Sequence, residues 1–315
     1  MNELMSLVDD NLLKTESRDS YFVLSPIQFE KLKQICEAVF KLANETLLEI
    51  VNQNEVESWI ESRYGVVKSL WKNGQTGIHL ARIDFAWDQQ KNFKVLELNT
   101  GSGSGWIRSS LTKKVASADK IGIPLAPPPT FYANYVLYKL GLKIAIIITE
   151  AVPECDFVAR QIECLGGEAK VIYLSEVGVK DIIDFAPTGL LRRSHAGLVD
   201  HSELILKLSS LRLPQIPSFE SMFISADKSF LAVLSDRYTT AVLKAGDSIR
   251  GREVVLGKNF NSWEDKLKEI MNSNKEWITQ ELCYLQNTKD NRYEDISVFV
   301  VDGVVQGFMS RISAN

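Results

Sequence analysis

The sequence has no surplus of positive charge: 36 Lys and Arg stand against 40 Asp and Glu in 315 residues, a formal charge of -4. Nucleic-acid binding usually leaves a basic footprint, so that class of partner is not expected. Long hydrophobic runs are missing too. The longest, 144–148 with its flanks, is bracketed by Lys143 and Glu150, too short to span a bilayer, and reads as a buried strand. No membrane partner is expected. The opening Met1-Asn2-Glu3, soon followed by Asp9 and Asp10, has neither the basic start nor the apolar stretch of a secretory signal, which predicts a cytoplasmic protein. Cysteine is scarce. The four, at positions 36, 155, 164 and 283, form no CxxC pair, so neither a disulfide framework nor a zinc site is suggested. Cys36 lies in a helical pattern and reads as a buried structural thiol. His79, His195 and His201 are isolated, without a readable Ser/His/Asp or metal-histidine arrangement, and a structural role is predicted for each. Internal repeats and low-complexity tracts are absent.

What is present is the 45% hydrophobic, 24% charged composition of an ordinary globular chain, long enough for two or three packed subdomains. Over 25–62, Phe29, Leu32, Ile35, Phe40, Leu47, Ile50, Val51, Val56 and Ile60 recur at helical spacing. Residues 78–99 change period and predict two alternating strands joined through 88–92. After a Gly- and Ser-rich stretch at 100–114 and a proline-rich linker at 124–129, the pattern becomes strand 144–149, helix 154–165, a Gly166-Gly167 stop and strand 169–174. That is a βαβ signature. An apolar stretch at 189–191 and a helix at 204–211 extend it to a small parallel-sheet subdomain. From Pro217 onward the pattern predicts a helix at 228–234, strands at 240–244, 253–256 and 277–282, and a hairpin of 297–301 and 304–310 turning at Asp302-Gly303. The expected fold class is α/β (α+β), with a metal-hairpin segment at 1–125, an α/β subdomain at 126–216 and a third unit at 217–315.

The first hairpin carries chemistry. If its strands pair antiparallel through a loop at 89–92, Asp84 stands opposite Glu97 and Arg82 opposite Asn99, and one face collects all four. The other face receives Ala81, Ile83, Phe85 and Trp87 from the first strand and Leu96 and Leu98 from the second. Two carboxylates facing each other across paired strands repel unless a cation lies between them. Magnesium prefers such oxygen ligands, so Asp84, Glu97 and Asn99 are candidate metal ligands, with Arg82 placed to hold a phosphoryl group. The residues equally fit a solvated polar face in which Arg82 pairs across to an acid.

The text Arg82-Ile83-Asp84-Phe85 followed by Leu96-Glu97-Leu98-Asn99 resembles the magnesium and catalytic-arginine motif of the glutathionylspermidine synthetase family, a circularly permuted branch of the ATP-grasp ligases. The last third extends the resemblance. Lys228, within Ser225-Ala226-Asp227-Lys228-Ser229-Phe230, is similar to the family's phosphate lysine at the head of a helix. Lys244, then Gly246-Asp247 and Gly251-Arg252-Glu253-Val254, resemble its strand lysine and flexible glycine loop. Gln280 and Glu281, within Trp277-Ile278-Thr279-Gln280-Glu281-Leu282, resemble the hinge that reads adenine and ribose. The hairpin ending in Ser310-Arg311-Ile312 resembles the closing hairpin, with Arg311 a second candidate for charge stabilisation.

The resemblance covers about 78–110 and 217–312. Ala245 follows Lys244 where the family usually has proline, and the chain stops four residues past Arg311. What the resemblance implies is an ATP-grasp-like fold and an ATP- and magnesium-dependent ligase, joining a small-molecule or peptide carboxylate to an amine through an acyl phosphate. The competing class is a non-catalytic ATP-binding protein or partner subunit. Physically, two ammonium groups on rigid elements neutralise a polyphosphate, and a Gly-containing loop admits close backbone N–H approach.

Two further features carry bland readings. Gly101-Ser102-Gly103-Ser104-Gly105 is not the GxGxxG dinucleotide fingerprint and reads as a substrate loop or a plain connection beside Asn99. Arg192-Arg193 reads as a solvated strand end.

Overall fold

The computed structural model describes residues 24–52, 58–65, 77–87, 93–101, 105–106, 109, 130–193, 202–218, 221–230, 242–245, 254–256, 277–280 and 294–312. Among these, no helix is long and apolar enough to cross a membrane. The architecture is mixed α and β, with an antiparallel and a parallel four-stranded sheet and a small three-stranded antiparallel one.

The antiparallel sheet joins the first two described strands to the last two. Strands β1 (Leu80–Trp87) and β2 (Phe93–Asn99) pair with a second hairpin, β10 (Glu294–Val301) and β11 (Val304–Ile312), in the order β11-β10-β1-β2. The β10–β11 connection is the predicted tight turn, with Asp302 at φ 45 and Gly303 at φ 83, the paired positive angles that a two-residue hairpin loop requires. In the β1–β2 pair, Arg82 faces Asn99 and Asp84 faces Glu97, as the sequence pattern predicts. The register then shifts between Asp84 and Phe85, so that Phe85 faces Val95. One expectation changes with that bulge: Leu96 drops out of the ladder, and Val95, packed against the core, takes the place expected of it.

Helix α1 (Pro26–Asn52) covers the apolar face of this sheet. Its Leu32, Cys36, Phe40, Ala43, Leu47 and Ile50 recur every three or four residues, are all buried, and share one core with Ile83, Phe85, Ile296, Val298 and Val300. Each large aliphatic or aromatic side chain in that seam contributes roughly 1.5–3 kcal/mol by leaving water. Cys36 is buried as predicted, and burial pushes its thiol well above the ordinary range. Helix α2 (Ser58–Tyr64) extends this layer, with Ile60 and Tyr64 buried. The opposite sheet face is apolar at one end, where Leu80, Phe299 and Val301 pack with Trp106, and polar at the other.

The parallel sheet is built from β3 (Lys143–Ile148), β4 (Glu168–Tyr173), β5 (Gly189–Arg192) and β6 (Gln215–Ile216), in the order β4-β3-β5-β6. Its central strand is apolar on both sides, as a sheet covered on both faces requires. Ile144, Ile146 and Ile148 join the core containing α3 (Phe131–Leu140) and α4 (Pro153–Cys164). Ala145 and Ile147 join the core containing α5 (Glu176–Phe185) and α6 (Ser202–Ser210).

Two of these helices escape the sequence reading. Helix α3 consists of FYANYVLYKL, rich in aromatic residues of middling helix propensity, and α5 carries Gly178 near its start. Local signal for α5 does exist: the Ser175 Oγ accepts a hydrogen bond from the Gly178 N–H at 3.0 Å, an N-cap. A π-helical turn, Ser221–Ser225, leads into the Lys228 segment; of the helix expected at 228–234 only 228–230 are described, Lys228 in a turn and Ser229 and Phe230 helical. The third sheet, order β8-β7-β9, comprises β7 (Val242–Ala245), β8 (Val254–Leu256) and β9 (Trp277–Gln280). The linker expected at 124–129 lies outside the described residues.

Candidate functional site

Strand alternation puts Arg82 and Asp84 on the polar end of the antiparallel sheet, where both are buried, Asp84 at 1% exposure. A carboxylate so placed must have its lone pairs satisfied. Asp84 Oδ1 accepts from Arg82 Nε at 2.9 Å and from Ser297 Oγ at 2.8 Å; Oδ2 accepts from Arg82 Nη2 at 3.0 Å and from Asn99 Nδ2 at 3.3 Å. The Arg82 fork thus grips the acid two residues along its own strand, not one across the ladder. Ser297 reaches it from β10, whose register pairs Ser297 directly with Asp84.

Glu97, opposite Asp84, is the more open carboxylate, with its side chain 30% exposed. Lys228 Nζ lies 3.7 Å from Glu97 Oε1, and the lysine side chain is 9% exposed. The repulsion expected between the facing acids is therefore answered by cations of the chain itself, Arg82 on Asp84 and Lys228 on Glu97. Each of the two facing acids thus has a cation of the chain beside it.

The meeting of Glu97 with Lys228, remote in sequence, is built from hydroxyl groups. Thr100, directly after β2, is fully buried, and its Oγ1 lies 2.6 Å from Ser225 Oγ. Ser221 Oγ donates to the Thr100 carbonyl at 3.2 Å. The π-helical turn, which carries both serines on one side, is thereby fastened to the end of the strand bearing Glu97 and Asn99. Next to Lys228, Asp227 accepts from Arg63 Nη1 and from Tyr64 Oη, the latter at 2.6 Å. Burial, followed by the charge of Asp227, pushes the Tyr64 hydroxyl far above its ordinary range, so it stays protonated and donates.

The other residues predicted for the site fall as follows. Arg311 is the Cα partner of Asp295 in the same sheet, two steps along β11 from Met309, which pairs with Ser297. Lys244 and Gln280 lie in the three-stranded sheet, where Lys244 pairs with Ile278 and Val242 with Gln280. Gly246, Asp247, Gly251 and Glu281 are outside the described residues. Sequence reading did not find Ser297, Arg63, Tyr64 or Asp227 as parts of this surface. Only Asp227 had a local signal, its position beside Lys228 in the motif.

A second buried cluster corrects the reading of Arg192-Arg193 as a solvated strand end: both are buried, at 2% and 3% exposure. Arg192 donates to Gln215 Oε1 and approaches Met222 Sδ at 3.7 Å. Arg193 Nη2 donates to Glu154 Oε2 at 2.5 Å, and Glu154 also accepts from the Gly105 N–H at 3.2 Å. Burial works against the Arg193 charge, but Glu154, Tyr132 and Cys155 outweigh it and raise its pKa. The Gly-Ser loop thus ends pinned to the parallel-sheet unit: Gly105 takes φ +102, and a Cβ there would meet Met309 Cε at 3.0 Å. His79 is half-buried and meets Asp302 Oδ1 through Nδ1 at 3.3 Å.

For a metal ion the donor chemistry is suitable but incomplete. Two carboxylates and an amide are hard oxygen donors of the kind magnesium prefers, and magnesium ordinarily completes its shell with water and phosphate. Among the described residues no group of three or more His, Cys, Asp or Glu is assembled to hold a metal. Glu97 is the more accessible carboxylate, whereas Asp84 has Arg82 in the place a cation would take. In comparisons with known proteins, no family model matches the chain. No curated protein matches it either.

Proposed function

We propose that the chain is an ATP-dependent carboxylate–amine ligase, with an ATP-grasp-like, circularly permuted arrangement of the kind found in glutathionylspermidine synthetases. In this reading an acid is activated as its acyl phosphate and captured by an amine to form an amide or peptide bond. The observation that carries it is the approach of Lys228 to Glu97 at 3.7 Å, beside Arg82, Asp84 and Asn99, since two distant motifs expected to share a nucleotide's phosphate end do lie together.

The residues divide by charge. Arg82 offers a planar fork suited to a phosphoryl or carboxylate group in transfer, and Lys228 a compact point charge for polyphosphate. Asp84, Glu97 and Asn99 would hold magnesium, which when bound neutralises phosphate charge. Lys244, Gly246, Asp247, Gly251, Gln280 and Glu281 are assigned to the nucleotide through the resemblance alone, as is Arg311 to charge stabilisation. Partial burial of Arg82 and Lys228 strengthens their pull on phosphate, because the surroundings are less polarisable than water.

A second reading, a non-catalytic ATP-binding protein, is favoured by one observation: both oxygens of Asp84 are already engaged, each by two donors. Turnover separates the two. The protein is incubated with MgATP and a panel of amino acids, peptides and amines, while ADP release and amide formation are followed. ADP formed only when an acid and an amine are both present supports ligation. MgATP binding without turnover across the panel supports the second reading, and no binding at all removes both.

A further inference from the structure

We propose that Arg63, Tyr64 and Asp227 form a positioning set that aims Lys228 at the Glu97 end of the site. The proposal rests on the nucleotide-binding reading above and names residues that reading does not use.

Every polar group of Asp227 is committed. Its side chain has 0% exposure; Oδ2 accepts from Arg63 Nη1 and Tyr64 Oη, and Oδ1 accepts from the Ser229 N–H at 2.7 Å. Its own N–H donates to the Ile224 carbonyl at 3.1 Å, and its carbonyl accepts from the Phe230 N–H at 3.0 Å. Lys228 is therefore bracketed by a backbone held on both sides, with the Phe230 ring fully buried as an anchor. Arg63 Nη1 also donates to Ser229 Oγ at 3.3 Å. A lysine side chain has many rotamers, and ordering one carries an entropic cost. Fixing its Cα so that Nζ meets Glu97 removes the backbone share of that search.

Stability alone accounts poorly for the arrangement. A buried ion pair is often no more stabilising than apolar residues of similar volume, because removing both charges from water offsets their attraction. What the pair supplies is direction: α2 holds Arg63 and Tyr64 one residue apart, and their convergence on one carboxylate oxygen locates Asp227, hence Lys228, relative to the sheet.

The test uses the full chain and two readouts: the rate of Lys228 acetylation by acetic anhydride, followed by mass spectrometry, and MgATP affinity by calorimetry. Asp227→Asn and Arg63→Gln are each expected to remain folded, to speed Lys228 acetylation several-fold, and to weaken MgATP binding about tenfold, the loss of one charge-assisted bond. Arg63→Lys, which keeps the charge, is expected to stay near wild type in both. Wild-type acetylation rates in folded Asp227→Asn and Arg63→Gln would overturn the proposal. Should Asp227→Asn not fold, Arg63→Gln and Tyr64→Phe give the same decision. Wild-type protein that fails to bind MgATP defeats the nucleotide reading, while the acetylation ratios still decide whether this set positions Lys228.

Discussion

Two of the buried arginine–carboxylate pairs among the described residues, Arg82–Asp84 and Arg193–Glu154, differ instructively. Arg82 and Asp84 lie two residues apart on one strand, next to a further acid, Glu97, that remains part-exposed and is met by a lysine from elsewhere. Arg193 and Glu154 come from different elements and close on themselves: Tyr132 covers the guanidinium, the Gly105 N–H takes the carboxylate, and Trp106 stacks on Tyr132 with ring centroids 5.4 Å apart. Beside the first pair stands a carboxylate whose side chain is 30% exposed, whereas both members of the second are buried. A buried ion pair by itself therefore identifies nothing. Its neighbours, above all an accessible extra carboxylate, distinguish a candidate site from a fastening between units.

That contrast breaks most visibly at the Arg193–Glu154 pair. Arg193→Leu leaves Glu154 buried without its cation and is expected to cost about 3–5 kcal/mol in urea denaturation, with partial recovery in the Glu154→Gln, Arg193→Leu double variant. A loss below about 1 kcal/mol would mean that Glu154 is re-solvated and the pair fastens little.

Beside the Arg82–Asp84 pair the effect should move from stability to chemistry. Glu97→Gln is expected to cost at most about 1 kcal/mol of stability, yet to reduce magnesium-dependent ADP formation roughly 100-fold or more if the acid serves the transfer. Unchanged turnover would remove Glu97 from the site.

The smallest effect concerns the Asp302 turn, where Lys139, His79 and Tyr135 converge on one exposed acid. Burial opposes its ionisation, but the hydrogen bonds of Lys139, His79 and Tyr135 outweigh burial and lower its pKa. Because the folded value lies below the unfolded one, the stabilisation is present above about pH 4 and is lost as the pH falls through the folded value. Wild type should therefore exceed Asp302→Asn in stability by a small margin at neutral pH, the two converging at strongly acid pH. A margin that widens on acidification would refute that sign.

Much of the local structure was legible. The hairpin register followed from alternation, the βαβ unit from its apolar run and Gly166-Gly167, and the tight turn from Asp302-Gly303. Helices α3 and α5 were not legible, because their helical state depends on Tyr132, Val136, Val179 and Ile182 finding cores, which composition alone does not announce. The bulge at Leu96 was equally hidden, since a one-residue insertion leaves the apolar count unchanged. Arg193 looked solvated because charge patterning does not reveal that Glu154, from another element, will neutralise it.

The sequence by itself determined which side chains the first hairpin would gather, because strand geometry sends alternate residues to one face whatever surrounds it. Only the tertiary structure decided who would meet them: β10 between β1 and β11, Ser297 against Asp84, and Lys228 carried to Glu97 by the Thr100–Ser225 contact. Those encounters depend on long-range closure and buried hydroxyl pairing, and no periodicity within a short window encodes them.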